Sequence, residues 1–209
     1  MRFILIPGMG VDARLFDPQR ELPVPFEVPP WPKVSSSDSL EDYAARFAAE
    51  VGPCDAIGGV SFGGMVSQAM AAQVGAKIVI GISTARTGRH IPGSIRFAKS
   101  IADVIPGVDR SMSLLGALPT RFRTQVMDMI RAARIDVVRE GSRMLLAWKG
   151  STPPCPVRLI HGDRDFLIRR SVVKPERVIR GGGHLINLTH PKAVNEFIME
   201  ALRSVGLAT

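Results

Sequence analysis

A serine flanked by glycines is the residue of this sequence best placed for covalent chemistry. Residues 59–63 read Gly-Val-Ser-Phe-Gly, and further glycines stand at positions 58 and 64. The apolar run 55–60 predicts a strand before Ser61, and residues 64–73 predict a helix after it. A serine on such a sharp turn exposes its hydroxyl, and the glycines leave room for its strained backbone. We interpret Ser61 as a nucleophile; the alternative is a tight turn of a nucleotide-binding unit, although the lysine of a phosphate-binding loop is missing.

A serine hydroxyl needs a base to remove its proton and a carboxylate to orient that base. Among four histidines, His184 follows a predicted strand at 177–179 and a run of three glycines. That places it on a loop at a strand exit, where ligands bind in open α/β sheets. We predict a structural role for His161, treat His190 as a weaker competitor for the base, and assign His90 to an insertion.

Two carboxylates could orient the histidine. The predicted strand 157–160 runs into His161-Gly162-Asp163-Arg164-Asp165, so Asp163 and Asp165 stand at one strand exit. From the residues alone, either could face the imidazole. The chain order serine, aspartate, histidine is one of the orders in which such a triad occurs.

The elements around these residues alternate between strand and helix, which indicates a parallel sheet covered by helices. A capping box at Ser39 and Asp42 predicts the start of one helix, and Pro191 the start of the last, which extends to about residue 205. We expect about six mostly parallel strands, at residues 2–6, 26–28, 55–60, 77–82, 157–160 and 177–179.

An insertion interrupts this alternation. Residues 84–152 contain no strand-like run but carry helical apolar stripes at 95–105, 122–130 and 137–148. We predict a small helical cap there, over a core formed by residues 1–83 and 153–209. The net charge of the chain is +8, and residues 84–150 hold twelve lysines and arginines against five acids. Two interpretations stay open: solvated arginines on amphipathic helices, or an entrance that attracts anionic substrates.

These motifs resemble those of the α/β-hydrolases, over nearly the whole chain. Residues 59–64 resemble the nucleophile elbow of that family. His161-Gly162-Asp163-Arg164-Asp165 resembles its H-G-x-x-D, which places the acid at Asp165 and leaves Asp163 as second choice. Gly183-His184 resembles the G-H that carries the family's base.

The opening of the chain resembles the family's oxyanion loop. Residues 5–10 read Leu-Ile-Pro-Gly-Met-Gly, with Pro7 in place of the usual histidine. The resemblance implies oxyanion donors at the backbone N–H groups of Met9 and Phe62. The family's opening antiparallel strands are not expected here, because the loop already begins at residue 7. The nearest resemblance is to small bacterial α/β-hydrolases with an I-P-G-x-G opening.

The resemblance implies a serine hydrolase that acts on a small-molecule carboxylic ester without a cofactor or metal, and the basic insertion leaves open whether that ester is anionic. Thioesterase, amidase and cofactor-free perhydrolase activities would use the same three residues, and substrate choice would lie in the cap. Two alternatives remain. The chain could be a non-catalytic ligand receptor on the same scaffold, or an interaction protein that binds through its basic helices.

Composition excludes several other classes. Hydrophobic residues make up 45% of the 209 residues and the mean hydropathy is +0.14, which is inconsistent with a disordered chain. No apolar run reaches the roughly 18 residues of a membrane helix, and no secretory signal precedes the first strand, so we expect a cytoplasmic protein. Aromatic residues are only 6% and do not alternate with the basic ones, which argues against nucleic acid as a partner. Cys54 and Cys155 have no metal-ligand spacing and are predicted to be structural.

Overall fold

The fold is built on one parallel sheet. A computed structural model describes residues 1–91 and 118–209 of the chain. Its five strands are β1 (Phe3–Ile6), β2 (Ala56–Val60), β3 (Ile78–Ile82), β4 (Val157–Gly162) and β5 (Arg177–Ile179), in the spatial order β1-β2-β3-β4-β5 with every neighbouring pair parallel. Every residue of β1, β2 and β3 is buried, as expected for a parallel sheet covered on both faces.

The expected sixth strand, at residues 26–28, is reduced to a single bridge. Glu27 lies beside β1, where its N–H donates to Phe3 O and its carbonyl accepts from Leu5 N–H, both at 2.9 Å. Pro29 and Pro30 follow immediately, and a proline has no N–H to continue a ladder. Of the six segments predicted as strands, five form strands and one forms a bridge within residues 1–91 and 118–209, consistent with the expected parallel sheet of about six strands.

The helices follow the predicted alternation. They are α1 (Leu40–Val51), α2 (Phe62–Met70), α3 (Thr120–Arg131), α4 (Ile135–Ala147), α5 (Arg170–Val173), α6 (Ile186–Thr189) and α7 (Pro191–Arg203), with 3₁₀ segments at Ala13–Glu21 and Gly88–His90. The capping box of Ser39 and Asp42 is confirmed, with both reciprocal hydrogen bonds present. Pro191 begins α7 as predicted. Helix α2 starts at Phe62 rather than at residue 64, because it begins directly after the turn at Ser61.

The core lies on the two faces of the sheet, because alternate residues of each strand point to opposite sides. Phe3 and Leu5 of β1 pack with α7 and the first 3₁₀ segment on one face. Ile4 and Ile6 pack with α1 and α2 on the other. The two layers hold the carboxyl ends of the strands in fixed relative positions.

Helices α3 and α4 connect β3 to β4 and confirm the helical stripes predicted at 122–130 and 137–148. The stripe predicted at 95–105 lies outside the described residues. Helix α4 packs on the core side against α1, α2 and the short segment Gly88–His90. The boundaries of the cap, 84 and 152, stay a prediction.

Candidate active site

Ser61 occupies a strained turn between β2 and α2. Its backbone has φ 55° and ψ −120°, in a region that residues with a side chain rarely adopt. Its N–H donates to Ile82 O at the end of β3 (2.9 Å), which anchors the turn to the sheet. Such strain persists only where the surroundings fix the backbone, and it is concentrated at functional sites.

The glycines on both sides of Ser61 allow a close approach of backbones. A Cβ on Gly59 would lie 2.6 Å from Ile6 O, and a Cβ on Gly63 would overlap Ile6 O and Pro7 O. The absence of side chains at these two positions therefore lets the end of β1 and the loop after it lie against the turn. This contact brings the loop Pro7–Gly10 beside the serine, where a Cβ on Gly8 would be 3.7 Å from Ser61 Cβ.

Asp165 and His184 form a buried pair at the carboxyl ends of β4 and β5. Asp165 Oδ2 lies 2.8 Å from His184 Nδ1, and both side chains are almost fully shielded from solvent. Asp165 Oδ1 accepts from the N–H groups of Leu167 (2.9 Å) and Ile168 (3.0 Å). The carboxylate is acceptor-only, so His184 carries its proton on Nδ1 and leaves Nε2 with a free lone pair.

His161 touches the same carboxylate. Its Nε2 lies 2.9 Å from Ile168 O and 3.2 Å from Asp165 Oδ2. Because both neighbours are acceptors, Nε2 carries the proton and bridges the two groups. The structural role that the sequence predicted for His161 is thus to help hold the Asp165 carboxylate in position.

The surroundings keep Asp165 ionised. Burial alone would raise its pKa, but the electrostatic attraction to the His184 ring and the hydrogen bonds from His161, His184 and Ile168 outweigh burial and hold the pKa well below its usual range. An ionised acid is what a histidine needs in order to accumulate positive charge during a reaction.

The other candidates make different contacts. Asp163 Oδ1 accepts from Gly181 N–H (2.7 Å), so this carboxylate holds the glycine turn that leads to His184. His190 Nδ1 pairs with Thr189 Oγ1 (2.8 Å), and His90 Nδ1 lies 3.4 Å from Arg86 N.

Ser61 is not joined to His184 in this structure: within the described residues, no hydrogen bond of Ser61 Oγ is found. The structure therefore brings Asp165 and His184 together. Ser61 also lies at the carboxyl ends of the parallel strands, but without a hydrogen bond to the imidazole. Catalytic hydrogen bonds are often long or poorly aligned without substrate and tighten when it binds.

The two residues implied as oxyanion donors lie side by side under helix α4. A Cβ on Gly141 of this helix would lie 3.1 Å from Met9 Cε and 3.2 Å from the Phe62 ring, so the helix rests on both side chains. Ser142 Oγ lies 3.3 Å from Met9 Sδ. Phe62 is the first residue of α2, so its N–H has no acceptor within its own helix.

A cavity of about 400 Å³ lies next to the loop Pro7–Gly10. Its walls come from this loop, from the segment Val28–Trp31 and from helices α3 and α4. Most of the lining side chains are apolar, and Asp12 and Arg134 are the charged ones. A concave, mainly apolar site of this size fits a small organic molecule.

Two arginines, one just before α4 and one within it, join this helix to the segment that precedes α1. Arg134 Nη1 donates to Trp31 O (2.9 Å), and Arg143 Nη2 donates to Asp38 O (2.6 Å). Both guanidinium groups also pair with an acid of α4. These basic side chains therefore make structural contacts between α4 and the segment of residues 31–38.

The chain matches the model of the alpha/beta hydrolase family over residues 3–197. It belongs to this family. Comparison with curated proteins gives no match. The solved structures that resemble this α/β-hydrolase include a thermophilic esterase from Thermogutta terrifontis, with a TM-score of 0.72 and 21% identity over 98% of this chain and 90% of that one. A hydrolase from Oleispira antarctica has a TM-score of 0.77 and 13% identity over 97% and 90% of the two chains.

A further similar structure is the enol-lactonase from Burkholderia xenovorans LB400, with a TM-score of 0.72 and 16% identity over 97% of this chain and 91% of that one. At these identities the likeness establishes the fold. In the described residues, no helix is long and apolar enough to cross a membrane. Residues 1–91 and 118–209 contain no group of three or more histidine, cysteine or acidic side chains that could hold a metal ion.

Proposed function

We propose that this α/β-hydrolase cleaves carboxylic esters through an acyl-enzyme on Ser61. The observation that carries the proposal is the buried hydrogen bond from His184 Nδ1 to an ionised Asp165. This bond lies at the carboxyl ends of the strands, where Ser61 occupies a strained turn. This bond fixes the imidazole tautomer whose Nε2 can accept a proton.

In the acylation step, Ser61 Oγ attacks the acyl carbon while His184 Nε2 takes the hydroxyl proton. The negative charge moves to the acyl oxygen, which accepts hydrogen bonds from the N–H groups of Met9 and Phe62. Each such donor is worth roughly 10²–10³ in kcat. His184 then gives its proton to the leaving alkoxide, so an alcohol departs and an ester to Ser61 remains.

In the deacylation step, a water molecule attacks the acyl-enzyme while His184 Nε2 takes its proton. The same two N–H groups hold the second oxyanion. When it collapses, Ser61 Oγ leaves and recovers the proton from His184, and the carboxylic acid is released. Asp165 stays ionised throughout and stabilises the imidazolium that forms twice in each cycle.

The cavity supports a small apolar group as the part of the substrate that determines specificity. Its lining includes Pro7 and Gly10 of the oxyanion loop but not Ser61, Phe62 or His184, so in this proposal it receives a substituent of the substrate and not the reacting ester group. Cyclic esters are a specific second candidate, because two of the similar structures are lactonases. Thioesters and amides could use the same chemistry.

The test is a rate profile over p-nitrophenyl esters of increasing acyl length, with a thioester, an amide and a lactone beside them. We expect the esters to be cleaved fastest, and Ser61→Ala to lower kcat at least about a thousandfold. Ser83→Ala is the matched control: it also removes a serine hydroxyl at a strand exit with positive φ, from a buried residue whereas Ser61 is half-buried, and activity should be retained. Full ester turnover by Ser61→Ala would refute the proposal.

A further inference from the structure

A buried threonine holds the backbone of the proposed nucleophile. Thr84 Oγ1 donates to Ser61 O at 2.6 Å, across 23 residues of sequence. The Thr84 side chain is fully buried, two residues beyond the end of β3. The same carbonyl also accepts from the N–H groups of Gly64 (3.1 Å) and Met65 (3.4 Å) at the start of α2, so the threonine bond is the shortest of the three.

This hydrogen bond acts on the peptide group that contains a proposed oxyanion donor. Ser61 C=O and Phe62 N–H belong to one planar trans peptide, in which the carbonyl and the N–H point in opposite directions. A hydroxyl that fixes the carbonyl on one side therefore fixes the direction of the N–H on the other. It also polarises the amide, which strengthens the N–H as a donor.

We propose that Thr84 is a positioning residue that aims the Phe62 N–H into the oxyanion hole. The inference rests on the proposed function, since it assigns a task to the Ser61–Phe62 peptide of that site. Ser61 has φ 55° and ψ −120°. Without the Thr84 hydroxyl, the Ser61–Phe62 peptide loses its shortest hydrogen bond and can rotate away from the reacting oxygen.

Close packing fixes the position of Thr84 next to Ser61. A Cβ on Gly64 would lie 2.7 Å from both Thr84 Cβ and Oγ1, so the threonine sits directly against the start of α2. Ser83, the residue before it, has φ 47°, and this sharp turn brings Thr84 under Ser61. The hydrogen bond from Thr84 thus joins the strained turn at Ser61 to the residue that follows Ser83, a second strained residue at the neighbouring strand exit.

The adjacent Ser83 provides the contrast that a test needs. Its side chain is as buried as that of Thr84, but its Oγ has no hydrogen-bond partner in the described part of the chain. Removal of this hydroxyl should leave the oxyanion hole unchanged. A difference between the two neighbours would therefore report the hydrogen bond rather than burial or position.

The experiment compares Thr84→Val, Thr84→Ser and Ser83→Ala with the wild type. For Thr84→Val we expect kcat on the best p-nitrophenyl ester to fall about tenfold, within the roughly 10²–10³ that a whole donor is worth. KM should change less than about twofold, because the bond acts on the transition state. Affinity for a trifluoromethyl ketone, which forms a tetrahedral adduct, should fall by the same factor as kcat/KM.

Thr84→Ser, which keeps the hydroxyl, should restore wild-type kcat, and the pH–rate profile should keep its position because the base is untouched. If Thr84→Val keeps kcat within twofold while Ser61→Ala is inactive, the inference is wrong and the proposed function stands. Equal losses in Thr84→Ser and Thr84→Val would assign the effect to packing and also overturn it. If Thr84→Val does not fold, Thr84→Ala takes its place in the comparison.

A measurement independent of turnover separates the two proposals further. In the NMR spectrum, Thr84→Val should shift the Ser61 carbonyl carbon and the Phe62 amide, whereas Ser83→Ala should leave the Phe62 amide near its wild-type position. Unchanged Ser61 and Phe62 signals in Thr84→Val would overturn the inference even if no ester is cleaved. Absence of turnover on every substrate would count against the proposed function alone.

Discussion

Replacement of Ser61 by glycine should stabilise the protein relative to replacement by alanine. Both changes remove the hydroxyl, but alanine keeps a Cβ at φ 55° and ψ −120°, and glycine tolerates positive φ without a steric cost. Strain of this kind costs about 1–3 kcal/mol. Glycine also loses more entropy on folding, by about 0.4–1 kcal/mol. The net free energy of unfolding of Ser61→Gly should therefore exceed that of Ser61→Ala by about 0.5–2 kcal/mol.

The comparison is made by urea unfolding and by calorimetry on both variants. For a chain of this length, about 1 kcal/mol moves Tm by roughly 2–4 °C, so Ser61→Gly should melt about 1–8 °C above Ser61→Ala. The control is Ala45→Gly, at an exposed position within α1. Its free energy of unfolding should fall by about 1 kcal/mol relative to the wild type. If Ser61→Gly is less stable than Ser61→Ala by a similar amount, the turn is unstrained and the reasoning fails.

Three further predictions follow from the site and the core. Because the fold lowers the pKa of Asp165, the stability that this carboxylate contributes should be complete above its unfolded-state pKa of about 4 and should be lost as the pH falls below that value. The free energies of unfolding of the wild type and Asp165→Asn, measured from pH 2 to pH 7, check this prediction. A difference between them that does not depend on pH would contradict it. Gly63→Ala should cost about 1–3 kcal/mol because the new Cβ meets backbone oxygens, whereas Gly183→Ala, with open space around it, should cost less than about 1 kcal/mol in the same urea assay. Burial raises the pKa of the Cys54 thiol to about 11, so iodoacetamide at pH 7.5 should alkylate it in urea but not in the native protein, as followed by mass spectrometry.

The sequence predicted most of the sheet because most of its strands are short apolar runs. β2, β3 and β4 lie within one or two residues of their predicted bounds. The pairing of Asp165 with His184 could be anticipated from the H-G-x-x-D and G-H motifs, whereas the residues alone left Asp163 open. The structure separates the two acids by their contacts, with Asp163 on Gly181 and Asp165 on the imidazole.

Other features depend on contacts that no local pattern encodes. The 3₁₀ segment Ala13–Glu21 contains Pro18 and mixes charged with apolar residues, so it has no helical stripe. No local pattern marks Thr84, because its bond to Ser61 requires two strands that are distant in sequence to lie side by side. The contact of His161 with Asp165 likewise depends on the loop that curls back after β4.

The basic character of the insertion has a structural component that composition could not reveal. Arg134 and Arg143 donate to backbone carbonyls of the core as well as to acids of their own helix. An anionic substrate remains a prediction. It is checked by the salt dependence of kcat/KM, which should be steeper for an anionic ester than for a neutral one if the cap attracts the substrate.

The most direct test of the account is to find where a fluorophosphonate attaches to the native protein. Peptide mapping by mass spectrometry should locate a single adduct on Ser61, formed at least about 100-fold more slowly in His184→Ala, because the hydroxyl needs the base. Ser61→Ala should remain unlabelled. An adduct on any other residue, or labelling of Ser61→Ala at the wild-type rate, would contradict the claim that Ser61 is the activated nucleophile.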